Sequence, residues 1–270
     1  MQQISKNVYV NISARGANTG FVTTREGVVM IESPMVPEDS LKWRDEINKH
    51  GEVKYLINTE PHQDHFSGNY FFGGTVVGHE GTRQGILEAS VDQLKAMLKM
   101  AAPGTELDKD FHFRPPTLTL SQRMTIYLGD ASFILINLPG HTPFEVAVYV
   151  PEERVVFTGD NVVNGTMPFL HQAVPYAWLD SLKELQQLDV DYVVPGHGNV
   201  CDKSYLAEMS ANVKSWIDVV EQAINKGLSL EEAKKTINML DRYPAAERER
   251  MAWVQGINID NLYKVLKKKS

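Results

Sequence analysis

Asn58-Thr59-Glu60-Pro61-His62-Gln63-Asp64-His65 follows directly on the apolar run Val53-Lys54-Tyr55-Leu56-Ile57. Two histidines and two carboxylates crowd six positions at the end of a strand-like segment. Close carboxylates repel each other unless a positive charge neutralises them. Imidazoles and carboxylates together are the donors that zinc, iron or manganese take. The stretch therefore reads as one wall of a metal site built where a strand ends.

Three more segments repeat the arrangement: Leu138-Pro139-Gly140-His141-Thr142, Phe157-Thr158-Gly159-Asp160-Asn161 and Val193-Val194-Pro195-Gly196-His197-Gly198. Each places one histidine or aspartate just past an apolar run and beside glycine, which permits the sharp turn that projects a side chain from a strand end. Taken singly, His141 or His197 is more often a hydrogen-bonding loop residue, and Asp160 an Asx turn. Seven such groups at four turns, namely Glu60, His62, Asp64, His65, His141, Asp160 and His197, are hard to explain as loop chemistry.

The bulk properties narrow the classes. The chain has 270 residues, 43% hydrophobic and 23% charged, enough for one large core. A net charge of −7 argues against a general nucleic-acid binder. Cys201 is the only cysteine, which excludes an intrachain disulfide and a thiolate zinc cage. The start of the chain lacks an apolar signal core, and no apolar run is long enough to cross a membrane. The plain reading is a soluble cytoplasmic protein, although a mature secreted one would look the same.

Strand signals fill much of the first 200 residues: 8–12, 20–24, 27–31, 53–57, 74–78, 117–128, 132–138, 145–150, 154–158 and 191–194. Helical spacing appears at 38–50 (Leu41, Trp43, Ile47), at 83–101 (Ile86, Leu87, Val91, Leu94, Leu98) and at 178–187. A further helix is expected near Ser67, burying most of Phe66, Tyr70, Phe71 and Phe72. The last 65 or so residues read as mostly helical, with Gly227 ending one helix and a capping box from Ser229 to Glu232 opening the next. The terminal Lys-Lys-Lys-Ser reads as a frayed end. Strands with interspersed helices, twice over, suggest two helix-covered sheets, an αββα sandwich.

The ordered set Glu60-x-His62-x-Asp64-His65, Gly140-His141-Thr142, Thr158-Gly159-Asp160 and Pro195-Gly196-His197-Gly198 resembles the metallo-β-lactamase superfamily. The resemblance spans about residues 8 to 200 and includes Ile31-Glu32-Ser33, where that family usually has an Ile-Asp-Thr type turn. It implies the αββα sandwich of two mixed sheets, with a catalytic domain over 1–202 and a helical extension over 203–270 packed on the same domain. It further implies Glu60, His62 and His141 around a first metal, Asp64, His65 and His197 around a second, and Asp160 bridging both. The implied activity is hydrolysis by a metal-bound hydroxide, with Asp64 as a catalytic residue that orients the nucleophile or shuttles its proton. Two divalent ions are implied, with zinc the family's usual choice.

Glu60 departs from the pattern, which begins with histidine. A hard, charged oxygen there lowers Lewis acidity and raises tolerance for iron or manganese. It leaves three roles open: ligand, cause of a one-metal site at Asp64, His65 and His197, or base. Iron also raises the alternative of an oxygen-handling member, but the family's diiron proteins carry glutamate at the motif's second ligand, where this chain has His62. A class B3-like β-lactamase is a further alternative, against which the bridging Asp160 stands. By elimination, the expected substrate is a small neutral or weakly anionic ester, lactone, amide or thioester.

Met167-Pro168-Phe169-Leu170-His171 is a candidate pocket wall, with His171 and Tyr176 as substrate donors; a surface loop is the plainer reading. Thr142 and Thr158 are candidate partners of the ligands, or turn residues. Arg242, Arg248 and Arg250 read as a solvated helix face. Residues 83–116 offer a lid or a contact for a second copy, a possible homodimer, with packing on the sandwich as the default.

Overall fold

The computed structural model describes residues 1–243, 245 and 248–268, without the side chain of Arg250. The first sheet has seven strands: β1 (Gln2–Gln3), β2 (Val8–Asn11), β3 (Thr19–Thr24), β4 (Gly27–Ile31), β5 (Val53–Ile57), β6 (Thr75–His79) and β7 (Leu118–Leu120), paired in that order. β2 to β4 pair antiparallel, and β4 to β7 pair parallel. The second sheet has five strands: β8 (Arg123–Leu128), β9 (Ala131–Asn137), β10 (Val146–Val150), β11 (Val155–Phe157) and β12 (Tyr192–Val194). All its pairs are antiparallel except β11 with β12.

The period-2 alternation of the strands creates the layers. Val29 and Ile31 of β4 meet Phe133, Leu135, Val146, Val148, Val155 and Phe157 in the core between the sheets. The intervening Val28 and Met30 face the other way and pack on Trp43 and Ile47 of α1 (Pro37–Ile47). On the far side, Ile136, Ala147, Val156 and Val193 pack on Trp178 and Leu182 of α5 (Pro175–Leu185) and on Leu206, Met209 and Trp216 of α6 (Tyr205–Asn225). The order helix, sheet, sheet, helix is the expected sandwich. The C-terminal helices α7 (Leu230–Thr236) and α8 (Arg248–Lys267) join the outer core through Ala233, Ile259, Leu262 and Leu266.

The local expectations divide. The Ser229–Glu232 capping box forms, and Gly227 ends its helix at φ +73°. The helix expected over 83–101 is two: α3 (Glu80–Glu88) and α4 (Val91–Ala101), parted where the Ser90 hydroxyl caps α4 by accepting from the Gln93 amide. Leu87 is exposed there, and Leu41 is exposed on α1, so neither belongs to the buried face. The strand expected over 117–128 breaks at Ser121-Gln122 and serves two sheets. Near Ser67, the short α2 (Gln63–Phe66) and a 3-10 turn (Ser67–Phe71) replace one helix; Phe66 and Phe72 are buried, Tyr70 and Phe71 half-buried. At the C-terminus Lys267 closes α8, and Lys269 and Ser270 lie outside the described residues. Among the described residues no helix is long and apolar enough to cross a membrane.

Candidate metal centre

The loops that carry the seven groups start at the C-terminal ends of β5, β9, β11 and β12, so both sheets contribute. Glu60 and His62 lie between β5 and α2; Asp64 and His65 are within α2. His141 follows β9, Asp160 follows β11, and His197 follows β12. All seven meet at one edge of the sandwich. Glu60, His65 and His141 are buried, while His62, Asp64 and His197 are partly exposed at a cleft of about 1200 Å³.

Two glycines set the close approaches. At Gly159, φ is +53°, and a Cβ would lie 2.5 Å from Thr59 Oγ1 and 2.6 Å from Glu145 Oε2. At Gly196 a Cβ would lie 1.9 Å from Asp160 Oδ1. The turn bearing His197 is tied down from the first sheet: Asn18 Nδ2 donates to the carbonyls of Pro195 (2.9 Å) and Gly198 (2.8 Å). His141 is fixed from two sides. Its amide donates to Asn161 Oδ1 (2.9 Å), and its Nδ1 lies 2.5 Å from the Phe169 carbonyl, leaving Nε2 toward the cluster.

The donor atoms are close. Asp64 Oδ2 is 3.2 Å from His197 Nε2, and Asp160 Oδ1 is 3.4 Å from His65 Nε2 and 3.5 Å from His197 Nε2. His141 Nε2 is 3.1 Å from His62 Nδ1, which also touches Glu60 Oε2. Glu60 Oε1 is 3.0 Å from His65 Nε2. Yet among the described residues both Glu60 oxygens, both His65 ring nitrogens and Asp160 Oδ1 are buried without an aligned hydrogen bond. Buried polar atoms are rarely left so. Lone pairs that converge on a shared point, instead of on each other's protons, fit a cation. Asp64, His65 and His197 form one group whose ligand atoms all lie within 4.8 Å of one another; Glu60, His65 and Asp160 form a second such group.

The electrostatics agree. Burial pushes the Glu60 and Asp160 carboxyls up, but the surrounding histidines outweigh it and hold both well below the usual range. Burial likewise opposes ionisation of Asp64, which His65 and His197 nonetheless hold low. Burial opposes the charged form of His197, but Asp160 and Asp64 raise it to about 10. His65, against the same penalty, is raised well above its ordinary value by Glu60 and Asp160. Burial lowers His141, and it lowers His171 to about 4 with help from His62 and His141.

Two buried carboxyls escaped the sequence reading as site groups. Glu32, at φ +58°, turns its carboxylate to accept from the Thr59 amide (2.7 Å) and stands 3.7 Å from His65 Nδ1. At that distance the carboxylate is no hydrogen-bond partner of the His65 ring, but it is the nearest negative charge to its second nitrogen. Its signal was the Ile31-Glu32-Ser33 turn. Glu145 is fully buried, 3.3 Å from Thr142 Oγ1, and burial with the charges of Glu60 and Asp160 raises it well above the carboxylate range. Its signal was a carboxylate opening the apolar strand Val146–Val150.

The other expected residues part company. His171 lines the cleft with Met167 and Phe169. Tyr176 does not; its hydroxyl pairs with Glu221 on the helix surface, which corrects its assignment to the substrate. Thr142 turns to Glu145, and Thr158 donates to the Val194 carbonyl (3.2 Å), so neither bonds a ligand of the cluster. Gly85, Glu88, Ala89, Gln93, Ala96 and Met97 of the 83–116 stretch wall the cleft's far side.

The family model of the metallo-beta-lactamase superfamily matches residues 12–197. The chain belongs to that superfamily. It is similar to the metallo-beta-lactamase type 2 of Elizabethkingia meningoseptica, 25% identical over 76% of this chain and 80% of that protein. It is also similar to the human acyl-coenzyme A thioesterase MBLAC2, 26% identical over 58% of this chain and 60% of the relative. The chain spans between 58% and 80% of the length of the first curated relatives it matches. Among solved structures, the metallo-beta-lactamase family protein TTHA1429 of Thermus thermophilus superposes with a TM-score of 0.70 over 97% of this chain and 94% of that chain, at 16% identity. That likeness supports the fold alone. The relatives it matches include hydrolases, the acyl-coenzyme A thioesterase among them.

Proposed function

We propose that the cleft hydrolyses a small, neutral or weakly anionic ester, lactone, amide or thioester. The observation that carries this reading is the lining. Among the described cleft residues there is no lysine or arginine, while Ala89, Ala96, Met97, Val163, Met167, Phe169 and Val254 supply apolar wall. Such a cleft suits an apolar acyl or alkyl group and has no cationic side chain to pair with a phosphate or sulfate.

Glu60, His62 and His141 would hold one divalent cation and Asp64, His65 and His197 a second, with Asp160 between them. When bound, such ions supply Lewis-acid polarisation of an acyl oxygen and a lowered pKa for water. Zinc is the first choice; the Glu60 oxygen also suits manganese or iron. The chain's own groups do the rest. Against burial, His65 and His197 hold the Asp64 carboxyl in its ionised form. A carboxylate oxygen of Asp64 not used on the cation would take a proton from the attacking water and return it to the leaving group. The Phe169 carbonyl holds the His141 ring in place, and the Glu32 carboxylate stands behind His65 at 3.7 Å as a neighbouring charge. The apolar wall orients the substrate and excludes bulk water.

The test is elemental analysis of protein purified without chelator, with ester and lactone hydrolysis by native chain and Asp64→Ala. About two divalent ions per chain, and loss of about 10³-fold or more in kcat on a retained fold, are expected. Undiminished turnover in Asp64→Ala would sink the mechanism. Iron with oxygen uptake would move the reading to the oxygen-handling alternative.

A further inference from the structure

With Glu60 in place of the usual first histidine, the first site keeps only two imidazoles, His62 and His141. A third imidazole stands beside them. One ring nitrogen from each of His62, His141 and His171 lies within 4.8 Å of the other two. The His171 ring is 4.7 Å from that of His62 and 5.5 Å from that of His141, centroid to centroid. Its Nδ1 is buried with no hydrogen-bond partner among the described residues.

His171 is also held there. Its ring stacks on Phe169 at 4.1 Å and 25°, and the Phe169 carbonyl is the one facing His141 Nδ1. From the opposite side, α8 grips the same loop. Asn258 Oδ1 accepts from the Leu170 amide (2.6 Å), Asn258 Nδ2 donates to the Pro168 carbonyl (2.8 Å), and Asn261 Nδ2 donates to the Leu170 carbonyl (2.6 Å). A side chain that only brushed substrate would not need a loop fastened at three backbone groups.

We propose that His171 is a ligand of the first site, returning to it the third imidazole that Glu60 displaces. Beside the carboxylates of Glu60 and the shared Asp160, the first site then offers three nitrogens, a set that suits zinc or cobalt better than manganese or magnesium. The C-terminal helix α8 is thereby part of the metal centre, because it fixes the loop that carries the ligand. This rests on the proposed function, which needs cations in the cleft.

The experiment uses the full chain, stripped with chelator and titrated with cobalt(II). Stoichiometry comes from elemental analysis, affinity from chelator competition, and imidazole count from X-ray absorption. The native chain is expected to bind two cobalt ions with about 2.5 imidazoles per ion, five histidines shared by two ions. In His171→Gln one ion should bind at least roughly tenfold more weakly, since loss even of an outer partner costs about that much. The imidazole count should fall to about 2 per ion. A native count of about 2, or two ions at native affinity in His171→Gln, overturns the proposal and leaves His171 facing substrate. Because the native count needs no variant, misfolding of His171→Gln cannot hide the answer. Failure of the native chain to bind cobalt would overturn the proposed function as well, so the two failures are distinct.

Discussion

Asn258→Ala should loosen the His171 loop without touching a proposed ligand. Asn258 is fully buried and commits its amide to two backbone groups, the Leu170 N–H at 2.6 Å and the Pro168 carbonyl at 2.8 Å. Alanine leaves both without that partner in a protein interior. Each orphaned group costs about 1–3 kcal/mol, so the loss is about 2–6 kcal/mol. At about 2–4 °C per kcal/mol for a large domain, Tm should fall by roughly 4–24 °C. The measurement belongs on chelator-treated protein, because bound metal adds its own stabilisation to the folded state. Urea unfolding gives the free energy, and hydrogen exchange reads the Leu170 amide directly. Asn261→Ala, which removes one partly buried bond to the same residue, should cost less, about 1 kcal/mol, and should not add fully to Asn258→Ala because both grip Leu170. A loss below about 1 kcal/mol in Asn258→Ala, with the Leu170 amide still protected, would refute the claim that α8 holds the loop.

Gly196→Ala should be destabilised and bind metal poorly, since its Cβ would stand 1.9 Å from Asp160 Oδ1, 2.8 Å from the Gly159 carbonyl carbon and 2.9 Å from the Asp160 amide nitrogen; unchanged Tm and metal content would refute the close-approach argument. Arg15→Gln should lower stability at neutral pH by about 1 kcal/mol, because Arg15 binds the half-buried Asp39 through Nε (2.9 Å) and Nη2 (2.7 Å). Burial pushes the Asp39 carboxyl up, but Arg15 outweighs it and holds the folded value below 3.8. That stabilisation is present above the unfolded value and lost as pH falls through the folded one, so urea midpoints of native and variant should converge below about pH 4. A gap that persists in acid would assign the effect to packing instead.

What could be read from the sequence was local. Glu60, His62, Asp64 and His65 share one turn, and each remaining donor announces itself by the same sign, a strand, a glycine and a histidine or aspartate. Alternation in Val28–Ile31 and Val146–Val150 was equally local, and it determined which face of each strand is buried. The errors came where sequence spacing is blind to tertiary context. Helical periodicity runs through Ala89-Ser90 without showing that Ser90 starts a new helix. Tyr176 lies close to the pocket-wall segment in sequence, as His171 does, but α5 carries it to the surface beside Glu221. His171 could be named as a pocket residue, yet its neighbours His62 and His141 and its support Asn258 come from segments up to 109 and 87 residues away in sequence.

The cluster is a poor way to build a core, and that bears on why it exists. Glu32, Glu60 and Glu145 are all buried, and Asp160 nearly so. Four carboxyls so placed would be destabilising unless protonated or neutralised. The chain's own answer is incomplete. Burial and neighbouring charges push Glu145 toward its protonated form, the carboxylates draw His65 and His197 toward theirs, and still both oxygens of Glu60 lack aligned partners. Cations between the loops would complete it, releasing the protons that His65 and His197 otherwise hold. Apolar residues would stabilise the same edge of the sandwich better. The charges are therefore explained by the ion they receive, and the glutamate at position 60 fits that account. It replaces a neutral donor with a charged one, and the loop tied to α8 brings a neutral imidazole to the same place.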